Sequence, residues 1–146
     1  MTNLLNRLLE ILTKEKECLS ELYNIVSEER DTIVSLRHHE LERILRKKEE
    51  TVMKISLLEK EREKFLLENE LNGLSLSEII KKYEIYEETS KLKELYTTIK
   101  TLLTAIEEIQ RINEQLIDHC LFNIHRSLKF LENFNISAKS TISKEV

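Results

Sequence analysis

Apolar residues recur at alternating intervals of three and four in the stretch LNRLLEILTKEKECLSELYNIVSEERDTIVSL, residues 5–36. Ten positions are reached by such steps from Leu5, and eight of them are apolar, the others being Glu15 and Glu29. The apolar positions are Leu5, Leu8, Leu12, Leu19, Leu22, Val26, Ile33 and Leu36. This heptad spacing places the side chains on one side of an α-helix. The stretch therefore predicts a long helix that packs lengthwise against other helices.

Two further heptad series follow along the chain. The second is weaker and shifted by one residue against the first; it contains Leu41, Leu45, Lys48, Val52, Ile55, Glu59, Arg62 and Leu66. The third is regular and contains Leu92, Leu95, Ile99, Leu102, Ile106, Ile109, Asn113, Leu116 and Cys120. Between them, NELNGLSLSEIIKKY (residues 69–83) holds the only glycine and a capping box, with Ser75 as N-cap and Glu78 at the third helical position.

These patterns predict an all-α protein, an elongated antiparallel bundle of three to four long helices with coiled-coil-like packing. We expect one domain over residues 1–134, with helices at about 2–36, 40–71, 76–83 and 85–132. The last two helices are either separate or continuous. LRHHE, residues 36–40, is either a tight turn or a kink, and a turn is favoured. Residues 135–146 are small and polar and predict a mobile C-terminal tail.

The charge and the apolar runs exclude several classes of protein. With 27 acidic and 23 basic residues the net charge is -4, which gives no basic field for nucleic acid. We expect no signal peptide at the N-terminus, since Asn6, Arg7 and Glu10 interrupt its apolar residues, and no later run is long enough to insert in a membrane. We therefore expect a cytoplasmic protein.

No residue pattern indicates catalysis, a cofactor or a metal. His38, His39, His119 and His125 form neither a Glu-x-x-His nor a His-x-x-x-His motif. A single glycine rules out a glycine-rich phosphate loop. Cys18 and Cys120 are too far apart for a metal-site spacing, and we interpret them as buried free thiols. The protein is not expected to be an enzyme.

The stretch NEQLIDHCLFNIHRSLKFL, residues 113–131, has more apolar side chains than one buried helix face requires. Ile117, Leu121, Ile124, Leu128 and Leu131 lie within about 80° on a helical wheel. Leu116, Cys120, Phe130 and Phe134 widen the apolar arc to about half of the circumference, and Phe122 stands opposite. Either two neighbouring helices enclose this part of the helix, or its surplus apolar side binds an amphipathic helix of a partner.

Asn113 is the only amide in the third heptad series. Because a buried amide costs free energy unless it is paired, such a residue usually has a specific role. Two interpretations remain open: Asn113 fixes the helix register, or it takes part in binding.

The order of these segments resembles the FlgN family of flagellar type III export chaperones, over most of the chain. The resemblance rests on three segments. The first two are SEERDTIVSL, with Glu29 and Arg30, and ELERILRKKEETVMKISLLEKERE, with Lys48, Val52 and Ile55. The third is IQRINEQLIDHCLFNIHRSLKFL, in which Asn113 precedes spaced aliphatic residues.

The resemblance implies a cytoplasmic chaperone that binds the C-terminal helical region of hook-filament junction (hook-associated) proteins. It would prevent their premature assembly and deliver them to the type III export apparatus. The partner-binding residues implied are Asn113, Leu116, Ile117, Leu121, Ile124, Leu128 and Leu131. Two alternatives stay open: a structural coiled-coil protein that homo-oligomerises, and a chaperone of the FliT type, for the filament cap. A homodimer is compatible with each of these.

Overall fold

Four α-helices account for most of the computed structural model, which describes the backbone of residues 2–145 and the side chains of residues 3–134. They are α1 (Thr2–Val34), α2 (His38–Glu68), α3 (Leu76–Lys82) and α4 (Thr89–Glu145). No strand occurs within residues 2–145. The predicted all-α helical bundle is therefore confirmed. The predicted mobile tail, residues 135–146, lies outside the residues with described side chains and stays a prediction.

Helix α1 is the central element of the bundle. It packs against both α2 and α4, whereas no Cα atom of α2 lies within 8 Å of one in α4 over the described chain. Helix α2 returns antiparallel to α1, and the short α3 packs at the end where α1 begins. Because α4 starts at that same end, it runs parallel to α1. The bundle thus combines one antiparallel and one parallel helix pair around α1.

The heptad series of residues 5–36 lies in the core, as its spacing predicts. All of its members from Leu5 to Ile33 are buried, including Glu15 and Glu29, and only Leu36 is exposed. One core cluster joins Leu5, Leu8 and Leu12 to Leu92 of α4. A second cluster joins Leu19, Leu22 and Val26 to Ile106 and Ile109. The third heptad series is therefore the face of α4 that packs on α1.

The second heptad series is correct at only some positions. Helix α2 buries Ile44 and Thr51, whereas the neighbouring Leu45 and Val52 are exposed. Leu41, Lys48, Ile55 and Arg62 are half-buried and occupy the predicted positions. The predictions for Leu45 and Val52 are wrong by one residue. Ile44 and Leu45 are adjacent and both apolar, so spacing alone does not decide which one faces α1.

Two ion pairs cross the interface between α1 and α2. Arg62 Nη1 lies 2.6 Å from Glu15 Oε2, and Lys48 Nζ lies 3.0 Å from Glu29 Oε2. Both acidic side chains are buried. Glu15 and Glu29 are two heptads apart on α1, as Lys48 and Arg62 are on α2, so both pairs form in one antiparallel register. A slip by one heptad would leave two buried carboxylates without a basic partner, at a cost of several kcal/mol.

The turns at the ends of α1 and α2 share one geometry. Leu36 N donates to Ile33 O and Arg37 N to Thr32 O, while Glu70 N donates to Leu67 O and Leu71 N to Leu66 O. These are Schellman motifs, which need a residue in the left-handed region just after the helix. Leu36 and Glu70 fill that position with φ of 56° and 57°. The chain therefore turns at residues 35–37, as favoured from the sequence, and His38, His39 and Glu40 already belong to α2.

The predicted capping box begins α3. Ser75 Oγ accepts a hydrogen bond from Glu78 N, and the Glu78 carboxylate accepts one from Ser75 N. Ile79, Ile80 and Tyr83 are then buried against the start of α1. The structure separates α3 from α4 by residues 83–88, so these two helices are distinct.

Candidate protein-binding site

Helix α4 extends well beyond the helices that cover it. Ile33, the last buried heptad residue of α1, shares a cavity with Cys120, and α1 ends at Val34. Helix α4 continues to Glu145, which is 25 residues past Cys120 and about 38 Å at 1.5 Å per residue. We call residues 121–134, whose side chains are described, the projecting segment.

Every large apolar side chain of the projecting segment is exposed to solvent. The exposed fractions range from 51% for Leu131 to 69% for Phe130. The seven residues are Leu121, Phe122, Ile124, Leu128, Phe130, Leu131 and Phe134. No other helix encloses them, because α1 has ended and α2 leads back towards the opposite end of the bundle. Of the two explanations for the surplus apolar residues, enclosure by two neighbouring helices is therefore wrong.

The residues named from the sequence divide into three groups along α4. Asn113 is fully buried, and Leu116 is half-buried at the bundle end. Ile117 is 36% exposed and marks the boundary between the bundle and solvent. The other four lie on the projecting segment: Leu121, Ile124, Leu128 and Leu131. Five of the seven named residues, those from Ile117 to Leu131, are therefore accessible to solvent on α4.

Three phenylalanines were not among the named site residues. Phe122, Phe130 and Phe134 are all more than 60% exposed on the projecting segment. Three of the four Phe residues of the chain lie in these 14 positions, and that concentration is the signal that points to them. Aromatic side chains are enriched at the centres of protein interfaces, so these residues belong to the candidate site.

Asn113 connects α4 to α1. Its Nδ2 donates a 3.0 Å hydrogen bond to the Val26 carbonyl oxygen, while its Oδ1 has no hydrogen-bond partner among the described residues. This bond ties α4 to α1 inside the bundle. Of the two interpretations of Asn113, the geometry favours the structural one over a direct contact with a partner, because the side chain does not reach a surface.

An apolar cavity lies where the projecting segment leaves the bundle. Its volume is about 130 Å³. The apolar side chains around it are those of Ile33, Leu36, Leu41, Ile117, Cys120 and Leu121. Ile117 and Leu121 therefore belong both to the exposed row of α4 and to this cavity.

A second, smaller apolar surface lies on α2. Leu45, Val52, Met53 and Leu57 are exposed there, around Glu49 and Ser56. Unlike the projecting segment, this row lies beside the packed interface with α1. It offers matched control positions for substitutions on α4.

An all-α bundle whose last helix continues past its neighbours with an uncovered apolar side is a protein-binding architecture. Polar residues of both signs accompany the apolar ones, among them Asp118, Arg126 and Lys129, which suits an amphipathic partner helix better than a polyanion. Over the described residues, no helix has both the length and the apolar content to cross a bilayer. These features are those of an all-α protein that binds other proteins.

Comparison with known proteins gives the family. The model of the family described as FlgN protein matches residues 1–135. The chain belongs to the FlgN family, whose members are chaperones in flagellar protein export. A search of curated proteins and a search of solved structures each gave no significant match. The match covers α1, α2 and α3 completely, and α4 up to one residue after the projecting segment.

Proposed function

We propose that this chain is a cytoplasmic export chaperone that binds the C-terminal helical region of hook-associated proteins. It holds these hook-filament junction proteins unassembled and delivers them to the type III export gate. The main support for this proposal is the projecting segment, which exposes seven large apolar side chains within 14 residues. This segment occurs in a chain that belongs to a family of flagellar chaperones. An assembly-competent amphipathic helix needs such a surface to cover its apolar side before export.

The proposed contacts are Leu116, Ile117, Leu121, Ile124, Leu128 and Leu131, to which the structure adds Phe130 and Phe134 at the edge of the same apolar arc. Asn113 supports the site from inside the bundle by tying α4 to Val26. Release at the export gate requires moderate affinity, so the complex forms and dissociates rather than remaining permanent.

The test compares two triple alanine variants of similar composition and exposure. Ile117→Ala/Leu121→Ala/Leu128→Ala alters α4, and Leu45→Ala/Val52→Ala/Leu57→Ala alters the apolar row of α2. Each is co-expressed with the two hook-associated proteins of the same bacterium, and the complex mass is read by size-exclusion chromatography with light scattering. The α4 variant should weaken binding on the order of 100-fold, whereas the α2 variant should bind as the wild type does.

Both variants should keep the wild-type helix content by circular dichroism, because all six side chains are at least partly exposed. Equal binding by the α4 variant and the wild type would refute the site. A homo-oligomer of constant mass that ignores both hook-associated proteins would refute the chaperone role and indicate a structural coiled-coil protein.

A further inference from the structure

The turn between α1 and α2 has a leucine where glycine is the favoured residue. Leu36 occupies the left-handed position of the Schellman motif, with φ of 56°. A β-carbon is strained there, and glycine is not. The Leu36 side chain is 64% exposed, so the hydrophobic core does not compensate for this strain. Neither the backbone geometry nor the core therefore favours leucine at this position.

Glu70 provides the internal comparison. It occupies the same position of the same motif after α2, with φ of 57° and an equivalent pair of hydrogen bonds. Its side chain is also exposed. Glu70 lies at the opposite end of the bundle from the projecting segment, whereas Leu36 lines the cavity at the base of that segment. The two turns therefore match in backbone geometry and differ in what surrounds them.

The cavity beside Leu36 suits one apolar group. It has a volume of about 130 Å³, opens to solvent, and has a mainly aliphatic wall to which Thr32, Arg37 and His38 also contribute. A cavity of this kind disfavours water or a charged group and favours a branched aliphatic or aromatic side chain.

We propose that this cavity receives one large apolar side chain, Leu, Ile, Met or Phe, from the amphipathic helix of the exported partner. The inference rests on the proposed function and deepens it. Ile117 and Leu121 line the cavity and also begin the exposed row of α4, so a helix laid along that row ends over the cavity. Insertion there fixes the register of the partner helix along α4. Leu36 forms one wall of the cavity.

Two glycine substitutions distinguish a role of Leu36 in partner binding from a role in folding. Leu36→Gly and Glu70→Gly relieve the same backbone strain, so each variant should melt at or above the wild-type temperature. A synthetic peptide of the C-terminal helical region of a hook-associated protein is then titrated into each full-length variant by isothermal titration calorimetry. We expect Leu36→Gly to bind the peptide at least fivefold more weakly, and Glu70→Gly to bind it with wild-type affinity. Wild-type affinity for Leu36→Gly would overturn the inference.

A third variant keeps the test decisive if Leu36→Gly folds poorly. Cys120 is half-buried and lines the cavity, and Cys120→Met extends a side chain into it. A filled cavity should weaken peptide binding at least fivefold without lowering the melting temperature, and unchanged affinity would contradict the proposal. If the α4 triple alanine variant loses binding while Leu36→Gly and Cys120→Met keep it, only the cavity inference fails. If the triple variant keeps binding, the proposed function itself fails.

Discussion

Arg62 Nη1 of α2 donates a 2.6 Å hydrogen bond to Glu15 Oε2 of α1, inside the interface rather than on the surface. Together with the pair of Lys48 and Glu29, it selects one register among those that the apolar heptads allow. Apolar side chains at heptad spacing tolerate a slip by seven residues, whereas a buried carboxylate does not. The register that the two pairs favour agrees with the short turn between Val34 and His38, which leaves little freedom for α2 to slide along α1.

Removing one partner of the buried pair should cost more than removing both. Arg62→Leu leaves Glu15 buried without a counter-charge and should lower the free energy of unfolding by about 3 kcal/mol. Glu15→Leu/Arg62→Leu should return to within about 1 kcal/mol of the wild type or exceed it. Urea unfolding followed by circular dichroism measures both. Arg7→Leu, which removes the surface pair with Glu61, should change stability by less than about 1 kcal/mol. A double variant no more stable than Arg62→Leu would contradict this account.

The buried Glu15 carboxyl should also affect the pH dependence of stability. Burial raises its pKa above the usual value of 4.5, nearby Glu59 and Glu61 add to the rise, and Arg62 opposes it. Because the folded state then holds the proton more tightly than the unfolded state, Glu15 favours folding most at acid pH. That contribution is lost as the pH rises through the raised pKa.

The free energy of unfolding of the wild type relative to Glu15→Gln should therefore increase as the pH is lowered from 7 to 4. Urea unfolding of both proteins at several pH values gives this difference directly. A difference that stays constant, or that moves in favour of Glu15→Gln at acid pH, would show that the carboxyl is not destabilised by its burial.

Replacement of Asn113 should show whether this residue has a structural role or contacts the partner. Asn113→Leu removes a buried amide with one unsatisfied oxygen, so thermal melting should occur at or above the wild-type temperature. Binding of a hook-associated protein should persist, because the side chain contacts Val26 rather than the solvent-exposed side of α4. Asn113→Asp places a carboxylate in the same site and should lower the melting temperature. Loss of binding by a well-folded Asn113→Leu would indicate a direct role in recognition.

The contribution of the α3 capping box to stability can be tested with two single substitutions. Ser75→Ala removes the acceptor for Glu78 N and should lower the free energy of unfolding by about 1 kcal/mol. Ser77 lies two residues later, exposed on the same short helix, and Ser77→Ala should be neutral or slightly stabilising. Chemical denaturation of the two variants in parallel provides the measurement, and equal effects would argue against the cap.

Deletion of residues 121–146 should leave the bundle intact. No side chain from 121 to 134 is buried, so the free energy of unfolding should change by less than about 0.5 kcal/mol, as for surface changes in general. Binding of an apolar dye such as anilinonaphthalene sulfonate should fall, because seven exposed large apolar side chains are removed. A marked loss of stability would mean that the projecting segment packs on the bundle in solution.

The sequence predicted the helical fold through local rules. Heptad spacing identified the packed faces of α1 and α4, and the capping box identified the start of α3, because both depend on residues within a few turns of each other. The choice between Ile44 and Leu45 on α2 did not follow from spacing, since both are apolar. The acidic pair Glu15 and Glu29 and the basic pair Lys48 and Arg62 share a 14-residue separation, and that signal favours the observed register.

Long amphipathic helices, and a last helix with more apolar residues than one packed face uses, follow from the order of residues along the chain. That this surplus is exposed follows only from how the helices pack. Whether Leu121, Leu128 and Phe130 are covered depends on where the neighbouring helices end, and that is set by the parallel alignment of α4 on α1 through Val26 and Asn113. Local periodicity reports which side of a helix is apolar, whereas only the alignment of whole helices shows how far its neighbours extend along it.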